Sequence, residues 1–215
     1  MKSVDVYWSF RSPYSYLAGP DMLEVQEKFD VQVNLRVVLP IAVRSPDVLF
    51  TEAGIVRVKY IMLDWHRRAD FLGMPHVAVM PVPDPIVQDL ETFKIADDQP
   101  YIFRLSHLGV EAQRRGKGVE FAREISHLIF AGTENWNKGE HLAEATARAG
   151  LDLASMDEAI TDGNHTEEIT ANQTGLEAAG HWGVPTFVFE GEPFFGQDRA
   201  DTLMWRLDQQ GLRKS

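Results

Sequence analysis

The 215-residue chain has a formal net charge of −11, with 44% hydrophobic and 25% charged residues, a composition typical of a soluble globular protein. The excess of acidic residues and the lack of long basic runs argue against binding to nucleic acid or to an anionic membrane surface. The sequence contains no cysteine, which excludes disulfides, thiolate metal sites and cysteine nucleophiles, so any thiol chemistry requires a sulfur atom from a ligand.

The N-terminus lacks an apolar signal segment, and no apolar run approaches the roughly 18 residues that a transmembrane helix needs. We therefore expect a cytoplasmic protein that does not insert into a membrane.

The chain opens with a predicted βαβ unit. Valine and aromatic residues between Val4 and Phe10 predict a strand, and apolar residues at helical spacing from Tyr16 to Phe29 predict a helix. The alternation from Val31 to Val37 predicts a second strand. Two strands joined by a helix in this way are expected to lie parallel.

Ser12 and Pro13 lie where the first strand gives way to the helix. Ser12 occupies the position of an N-cap and Pro13 that of the first helical residue. A hydroxyl at this point lies at the positive end of the helix dipole, beside unpaired backbone N–H groups. Such a place suits an anion or a thiolate. The alternative is that Ser12 only caps the helix.

Between Ala42 and about Gly180 helical periodicity dominates, and convincing strands are absent from the pattern. The segment from His76 to Pro85 is rich in proline and predicts an extended loop. The helices predicted in this part of the chain cover about 55–72, 101–116, 121–129, 140–149, 155–162 and 166–179.

The C-terminal part returns to strands. Residues 186–189 predict a strand, 190–192 a hairpin turn and 193–195 an edge strand, where proline is tolerated. A last helix is predicted from Asp198 to Gly211. The order βαβ, helical block, ββα predicts an α/β fold of thioredoxin-like type. Its thioredoxin-like domain would consist of residues 1–42 and 180–215, and residues 43–179 would form an inserted all-helical domain.

Three motifs carry a resemblance to a known family. Ser12-Pro13-Tyr14-Ser15 has the spacing of the Cys-Pro-X-Cys redox motif of DsbA-like proteins, with serine in place of both cysteines. Gly183-Val184-Pro185-Thr186 resembles the loop that carries the cis-proline of thioredoxin-like proteins, and Phe195-Gly196-Gln197-Asp198-Arg199 precedes the last helix. Together these motifs resemble the 2-hydroxychromene-2-carboxylate isomerases and the related kappa-class glutathione transferases.

The resemblance implies glutathione as cofactor and Ser12 as the catalytic residue. No general base lies next to Ser12 in the sequence, so we expect its hydroxyl to donate a hydrogen bond to a bound thiolate and not to act as a nucleophile. Lowering the thiol pKa by two pH units requires about 2.7 kcal/mol. One charge-assisted hydrogen bond together with the helix dipole supplies an effect of that size.

The resemblance also implies a set of cofactor-binding residues. Pro13 lies beside Ser12, and a cis Val184–Pro185 bond would turn backbone groups of Val184 outward to pair with an extended peptide such as glutathione. Gln197 and Asp198 would hold the γ-glutamyl amine and carboxylate.

Two further points about this site stay open in the sequence. Asp198 has the alternative role of capping the last helix. The glycyl carboxylate of glutathione needs a cation, for which Arg44, and more weakly Arg11, are the candidates.

The function expected from this resemblance is a glutathione-dependent isomerase of aromatic-compound catabolism, acting as a homodimer on a hydrophobic, electrophilic aromatic substrate. The alternatives are a kappa-like glutathione transferase and a non-catalytic DsbA-like module that binds extended peptides. No metal site is predicted, because Asp64, His66 and Asp70 do not converge on one helix face.

Overall fold

The computed structural model describes residues 1–46, 52–89 and 94–214. A four-stranded sheet has the order β2-β1-β3-β4. β1 and β2 are parallel, as predicted, whereas β3 is antiparallel to both β1 and β4. The strands are β1 (Lys2–Trp8), β2 (Val31–Val37), β3 (Thr186–Phe189) and β4 (Glu192–Phe195). Pro193 lies in the edge strand β4, so its missing N–H removes no hydrogen bond from the centre of the sheet.

The described ranges contain nine helices. Those expected from the periodicity are present, with ends shifted by a few residues, and α2 has only four residues, too few for periodicity to reveal it. Of the helices in the described part of the chain, none combines the length and apolarity needed to cross a lipid bilayer. The helices are α1 (Pro13–Lys28), α2 (Ile41–Arg44), α3 (Glu52–Leu72), α4 (Ile102–Arg114), α5 (Gly118–Phe130), α6 (His141–Arg148), α7 (Leu153–Thr161), α8 (His165–Ala178) and α9 (Ala200–Gln209).

One continuous apolar core joins the sheet to the helices between β2 and β3. Phe10, fully buried, follows β1 and meets the ring of Phe121 in α5 edge-on, with ring centroids 5.9 Å apart. Gly109 in α4 lies so close that an added Cβ would stand 2.6 Å from the Phe10 ring and 2.8 Å from Val37. Helices of the predicted insertion therefore pack directly on the sheet, and the division into two domains stays a prediction.

Candidate functional site

Ser12 lies at the N-terminus of α1, as predicted. Its extended backbone (φ −88°, ψ 115°) makes it the N-cap, and its Oγ accepts a hydrogen bond from the backbone N–H of Ser15 at 3.1 Å. The same hydroxyl donates to the carbonyl oxygen of Val184 at 3.4 Å. This distance is at the long limit of hydrogen bonding, so the contact contributes little free energy. The hydroxyl can therefore turn to a better acceptor at little cost.

The loop that faces Ser12 contains a cis Val184–Pro185 bond, as the sequence predicts. Within the described ranges the backbone N–H of Val184 has no hydrogen-bond partner, and its carbonyl accepts only from Ser12. The N–H of Gly196 donates to the Pro185 carbonyl at 2.9 Å, which attaches the end of β4 to this loop. The structure thus brings Ser12, Pro13, Val184 and Pro185 together around an open backbone edge.

Arg44 and Arg11 differ in how far their charge is compensated. Arg44 donates through Nε to the Leu39 carbonyl at 3.0 Å. Its Nη2 donates to the carbonyl of Trp182, two residues before Val184. Burial lowers the pKa of Arg44, and no ion pair joins it to a carboxylate in the described part of the chain. Arg44 is therefore a half-buried cation held beside the loop by two carbonyl groups, with the charge of Glu177 acting on it without a direct ion pair in the described part of the chain.

Arg11 is already engaged by a carboxylate that the sequence did not single out. It forms a bidentate ion pair with Asp84, at 3.0 and 3.2 Å, and the Asp84 carboxylate also accepts from the N–H of Ile86. The pair ties the start of α1 to the proline-rich loop. Arg11 is consequently a weaker candidate for an incoming carboxylate than Arg44.

Gln197 and Asp198 lie on the turn before α9. The proposed capping role of Asp198 is wrong, because α9 begins at Ala200 and its N-cap residue is Arg199. Gly196 has a φ of 105°, and its carbonyl accepts a hydrogen bond from the Arg199 N–H. These two features form a turn, so that the helix begins later than predicted. The exposed Asp198 carboxylate pairs instead with the guanidinium of Arg199 at 2.8 Å. Gln197 accepts a hydrogen bond from Arg68 Nε at 2.9 Å.

A cavity of about 280 Å³ adjoins this turn, between α1, α3 and α9. Burial raises the pKa of its half-buried Asp21 from 3.8 to about 6, with Glu24 and Asp201 adding to the rise and Arg68 opposing it. No sequence pattern indicated this cavity, because its walls come from three distant segments. They are formed by Leu17, Pro20, Asp21, Arg68, Leu72, Met74, Gln197, Asp198, Ala200, Asp201 and Met204.

The Asp21 carboxyl is expected to lower the stability of the free protein at neutral pH. Its pKa is higher in the folded than in the unfolded chain, so its charged form is disfavoured by folding above about pH 6. Asp21→Asn should raise the free energy of unfolding by about 1–2 kcal/mol near neutral pH, allowing for the partial solvation of the carboxyl.

Urea unfolding near neutral pH and below about pH 4 tests this expectation. The gain should vanish in acid, where Asp21 is protonated in both states. Glu27→Gln, at an exposed position of the same helix, is the matched control and should change little. An equal effect of Asp21→Asn in acid and at neutral pH would contradict the assignment.

A hydrogen-bonded group next to Ser12 was also not predicted, although its member Tyr14 lies in the first of the three motifs. Tyr14 donates to Asp64 Oδ2 at 2.7 Å, and Asp64 Oδ1 accepts from Arg67 Nε at 2.7 Å and from the Tyr60 hydroxyl at 3.2 Å. Burial and the Asp64 hydrogen bond raise the pKa of Tyr14, which therefore stays a neutral donor. This group holds the first turn of α1 against α3.

His181 supports the loop that faces Ser12. Its Nδ1 accepts from the N–H of Gly183 at 2.9 Å, so the neutral ring carries its proton on Nε2. The ring stacks on Phe195 at 3.9 Å and on Trp182 at 5.6 Å between centroids, and burial lowers its pKa. His181 is thus a half-buried part of the loop.

The electrostatic effect of the α1 N-terminus is open to measurement without any ligand. Ser12→Cys would introduce the only thiol of the chain. Because a helix N-terminus stabilises a thiolate, the pKa of this thiol is expected to lie well below its ordinary value. Ultraviolet thiolate absorbance against pH gives the result, with Ser3→Cys on the exposed side of β1 as control. Equal pKa values for the two thiols would contradict the expectation.

Comparison with known proteins agrees with this fold. The sequence profile of the DsbA-like thioredoxin domain matches residues 3–208. No curated protein sequence gives a significant match.

Three solved structures illustrate the likeness, which at these identities is one of fold. A 2-hydroxychromene-2-carboxylate isomerase is 20% identical with a TM-score of 0.65, over 97% of each chain. A probable DsbA oxidoreductase from Streptomyces coelicolor is 19% identical with a TM-score of 0.64, over 100% of this chain and 92% of that one. The cytosolic disulfide reductase DsbM from Pseudomonas aeruginosa, solved with glutathione, is 15% identical with a TM-score of 0.56, over 96% of this chain and 99% of that one. With its sequence matched by the family profile over nearly its full length, the chain belongs to the DsbA-like thioredoxin domain family.

Proposed function

We propose that this protein is a glutathione-dependent isomerase of the 2-hydroxychromene-2-carboxylate isomerase type. The observation that carries the proposal is the position of Ser12 Oγ, at the N-terminus of α1 and 3.4 Å from the Val184 carbonyl. A hydroxyl donor, a helix dipole and an open backbone edge meet at this point. Since the chain has no cysteine, a thiolate at this site has to come from a ligand.

The residues present fit glutathione. The N–H of Val184, unpaired among the described residues, offers an extended peptide a backbone partner, and Arg44 supplies a cation beside the same loop for the glycyl carboxylate. Gln197 and Asp198, joined to the loop through Gly196, are the residues assigned to the γ-glutamyl end. When bound, glutathione supplies a nucleophilic thiolate that adds reversibly to a conjugated double bond.

Ser12 stabilises that thiolate in the proposed reaction. Its hydroxyl exchanges the long contact with Val184 for a charge-assisted hydrogen bond to sulfur, and the N-terminus of α1 adds its dipole. Its Oγ stays fixed by the N–H of Ser15, so the donor is held in place before the ligand arrives. Together these interactions account for the roughly 2.7 kcal/mol that lowers a thiol pKa by two pH units.

The surface beside the loop suits an aromatic substrate. Trp182 and Phe195 are 50% and 44% exposed, and both stack on His181. Aromatic faces of this kind favour planar, apolar ligands. This supports a hydrophobic, electrophilic aromatic compound as substrate. The homodimer implied by the resemblance and the cytoplasmic location expected from the sequence stay predictions.

The test is conversion of 2-hydroxychromene-2-carboxylate, followed by its ultraviolet spectrum with and without glutathione. Conversion is expected only with glutathione, is expected to fall sharply in Ser12→Ala, and is expected to persist in Ser15→Ala. Glutathione binding without conversion would contradict the isomerase. Formation of a stable conjugate with an electrophilic aryl halide would then favour the kappa-like transferase.

A non-catalytic peptide-binding module is the second candidate, favoured by the open edge at Val184. It requires no sulfur in the ligand. A glutathione analogue with a methyl group in place of the thiol should bind such a module as tightly as glutathione at every pH. For the isomerase, glutathione should gain affinity over this analogue as pH rises, because the site favours the thiolate.

A further inference from the structure

The His181 side chain has a fixed orientation in the loop that faces Ser12. Its ring stacks on that of Phe195, with centroids 3.9 Å apart and planes inclined by 25°, and on that of Trp182 at 5.6 Å and 13°. Gly183 makes room for this arrangement, because a Cβ there would lie 2.5 Å from Phe195 Cε2 and 3.1 Å from His181 Cε1. The stack therefore fixes the plane of the imidazole before any ligand binds.

Hydrogen bonds fix the tautomer of the same ring. The Gly183 N–H donates to His181 Nδ1 at 2.9 Å, and the carbonyl of Gly183 accepts from the hydroxyl of the buried Thr186 at 2.8 Å. Since Nδ1 is an acceptor, the neutral ring carries its proton on Nε2. Burial lowers the pKa of His181, so the ring stays neutral near pH 7.

The Nε2–H group of His181 is left available to a ligand. Among the described residues Nε2 has no hydrogen-bond partner, and the atom is open to solvent. The exposed faces of Trp182 and Phe195 lie beside it. A neutral donor next to aromatic surface suits a planar ligand that carries an acceptor oxygen.

We propose that His181 donates a hydrogen bond from Nε2 to the oxygen of a carbonyl group conjugated with the double bond of the substrate. The inference rests on the proposed isomerase function and adds a catalytic residue to it. A neutral imidazole N–H polarises a carbonyl group without a charge that would favour the substrate carboxylate in its place.

This hydrogen bond is expected to strengthen during the reaction. As the C–S bond forms, the electrons of the double bond shift toward the carbonyl group, and negative charge collects on its oxygen. The same electrons restore the double bond when the sulfur leaves, so His181 keeps its proton and needs no further acid or base. The donor therefore stabilises the transition state more than the bound substrate.

His181 lies close enough to the Ser12 site for one substrate molecule to contact both. It precedes Val184 by three residues, and the Val184 carbonyl lies 3.4 Å from Ser12 Oγ. Three residues of extended chain span at most about 11 Å. That is similar to the length of an aromatic ring with a conjugated keto-acid side chain.

The experiment uses 4-phenyl-2-oxobutanoate, which has an aromatic ring, a keto group and a carboxylate but no double bond for a thiolate to attack. With glutathione present, titration calorimetry should show that the wild-type protein binds it about three- to tenfold more tightly than 4-phenylbutanoate, which lacks the keto oxygen. His181→Asn, whose amide oxygen still accepts from the Gly183 N–H, should lose this preference and keep its affinity for glutathione. His141→Asn, the same change at an exposed position of α6, should keep both.

Two further measurements distinguish a donor to substrate from a support of the loop. The infrared stretching frequency of the bound keto group should be lower in the wild-type protein and in His141→Asn than in His181→Asn, because a hydrogen bond weakens the C=O bond. For 2-hydroxychromene-2-carboxylate, kcat should fall about 10- to 100-fold in His181→Asn.

The outcomes separate this inference from the proposed function. Equal keto frequencies and equal ligand preferences in the wild-type protein and His181→Asn would overturn the role of His181 alone. Loss of glutathione affinity in His181→Asn would likewise overturn it, since the side chain would then act through the loop. Failure of the wild-type protein to bind glutathione or to convert the substrate would overturn the proposed function and this inference with it.

Discussion

Replacing Phe10 with alanine is expected to lower the free energy of unfolding by about 3–5 kcal/mol. The side chain is fully buried, its ring packs edge-on against Phe121, and Gly109 and Val37 close the space around it. Because these contacts come from β2, α4 and α5, no single element can move to fill the cavity left behind. Urea unfolding of the two proteins measures the difference.

The control for this substitution is Phe71→Ala on α3. Phe71 is 77% exposed and its ring contacts the Arg68 guanidinium, so the expected loss is about 1 kcal/mol or less. Equal losses for the two variants would show that Phe10 does not join the sheet to the helices. Such a result would also weaken the placement of Ser12, which lies two residues beyond Phe10.

Replacing Ser12 with alanine is expected to raise the pKa of the bound glutathione thiol by one to about two pH units. The variant loses the hydroxyl that donates to sulfur, although the α1 dipole remains. Isomerase activity near pH 7 should fall about 3- to 25-fold, because most of the bound thiol is thiolate in the wild-type protein and only about a quarter to about 3% stays thiolate after a rise of one to two pH units in its pKa. Ultraviolet thiolate absorbance and initial rates are the two measurements.

Ser15→Ala is the matched control for Ser12→Ala. The Ser15 Oγ is buried and has no hydrogen-bond partner among the described residues, whereas its backbone N–H is the group that holds Ser12. Its removal should change neither the thiol pKa nor the rate. If both serine variants raised the thiol pKa equally, the stabilisation would not depend on the Ser12 hydroxyl.

Local features of the sequence were enough to predict much of the fold. Alternating and helical periodicities located the strands and most helices, because each pattern reflects burial on one face. Ser12 and Pro13 indicated the start of α1 through capping chemistry that involves only neighbours in sequence. The turn at Glu190 and Gly191 was equally local, since both residues have positive φ.

Contacts between distant segments were not predictable in the same way. Arg11 and Asp84 are 73 residues apart, and Arg44 and Trp182 are 138 apart. No periodicity or motif links such pairs, because their proximity depends on the packing of helices on the sheet. The cavity at Asp21 depends on three segments, and the wrong cap at Asp198 arose because a turn at Gly196 delays the helix.

The most direct test of the account is the thiol pKa of glutathione bound to the wild-type protein, measured by ultraviolet thiolate absorbance as pH is varied. The account predicts that the bound thiol ionises about two pH units below free glutathione, so that most of it is thiolate at neutral pH. A bound thiol that ionises at the same pH as free glutathione would contradict the assignment of Ser12 and the α1 N-terminus as a thiolate site.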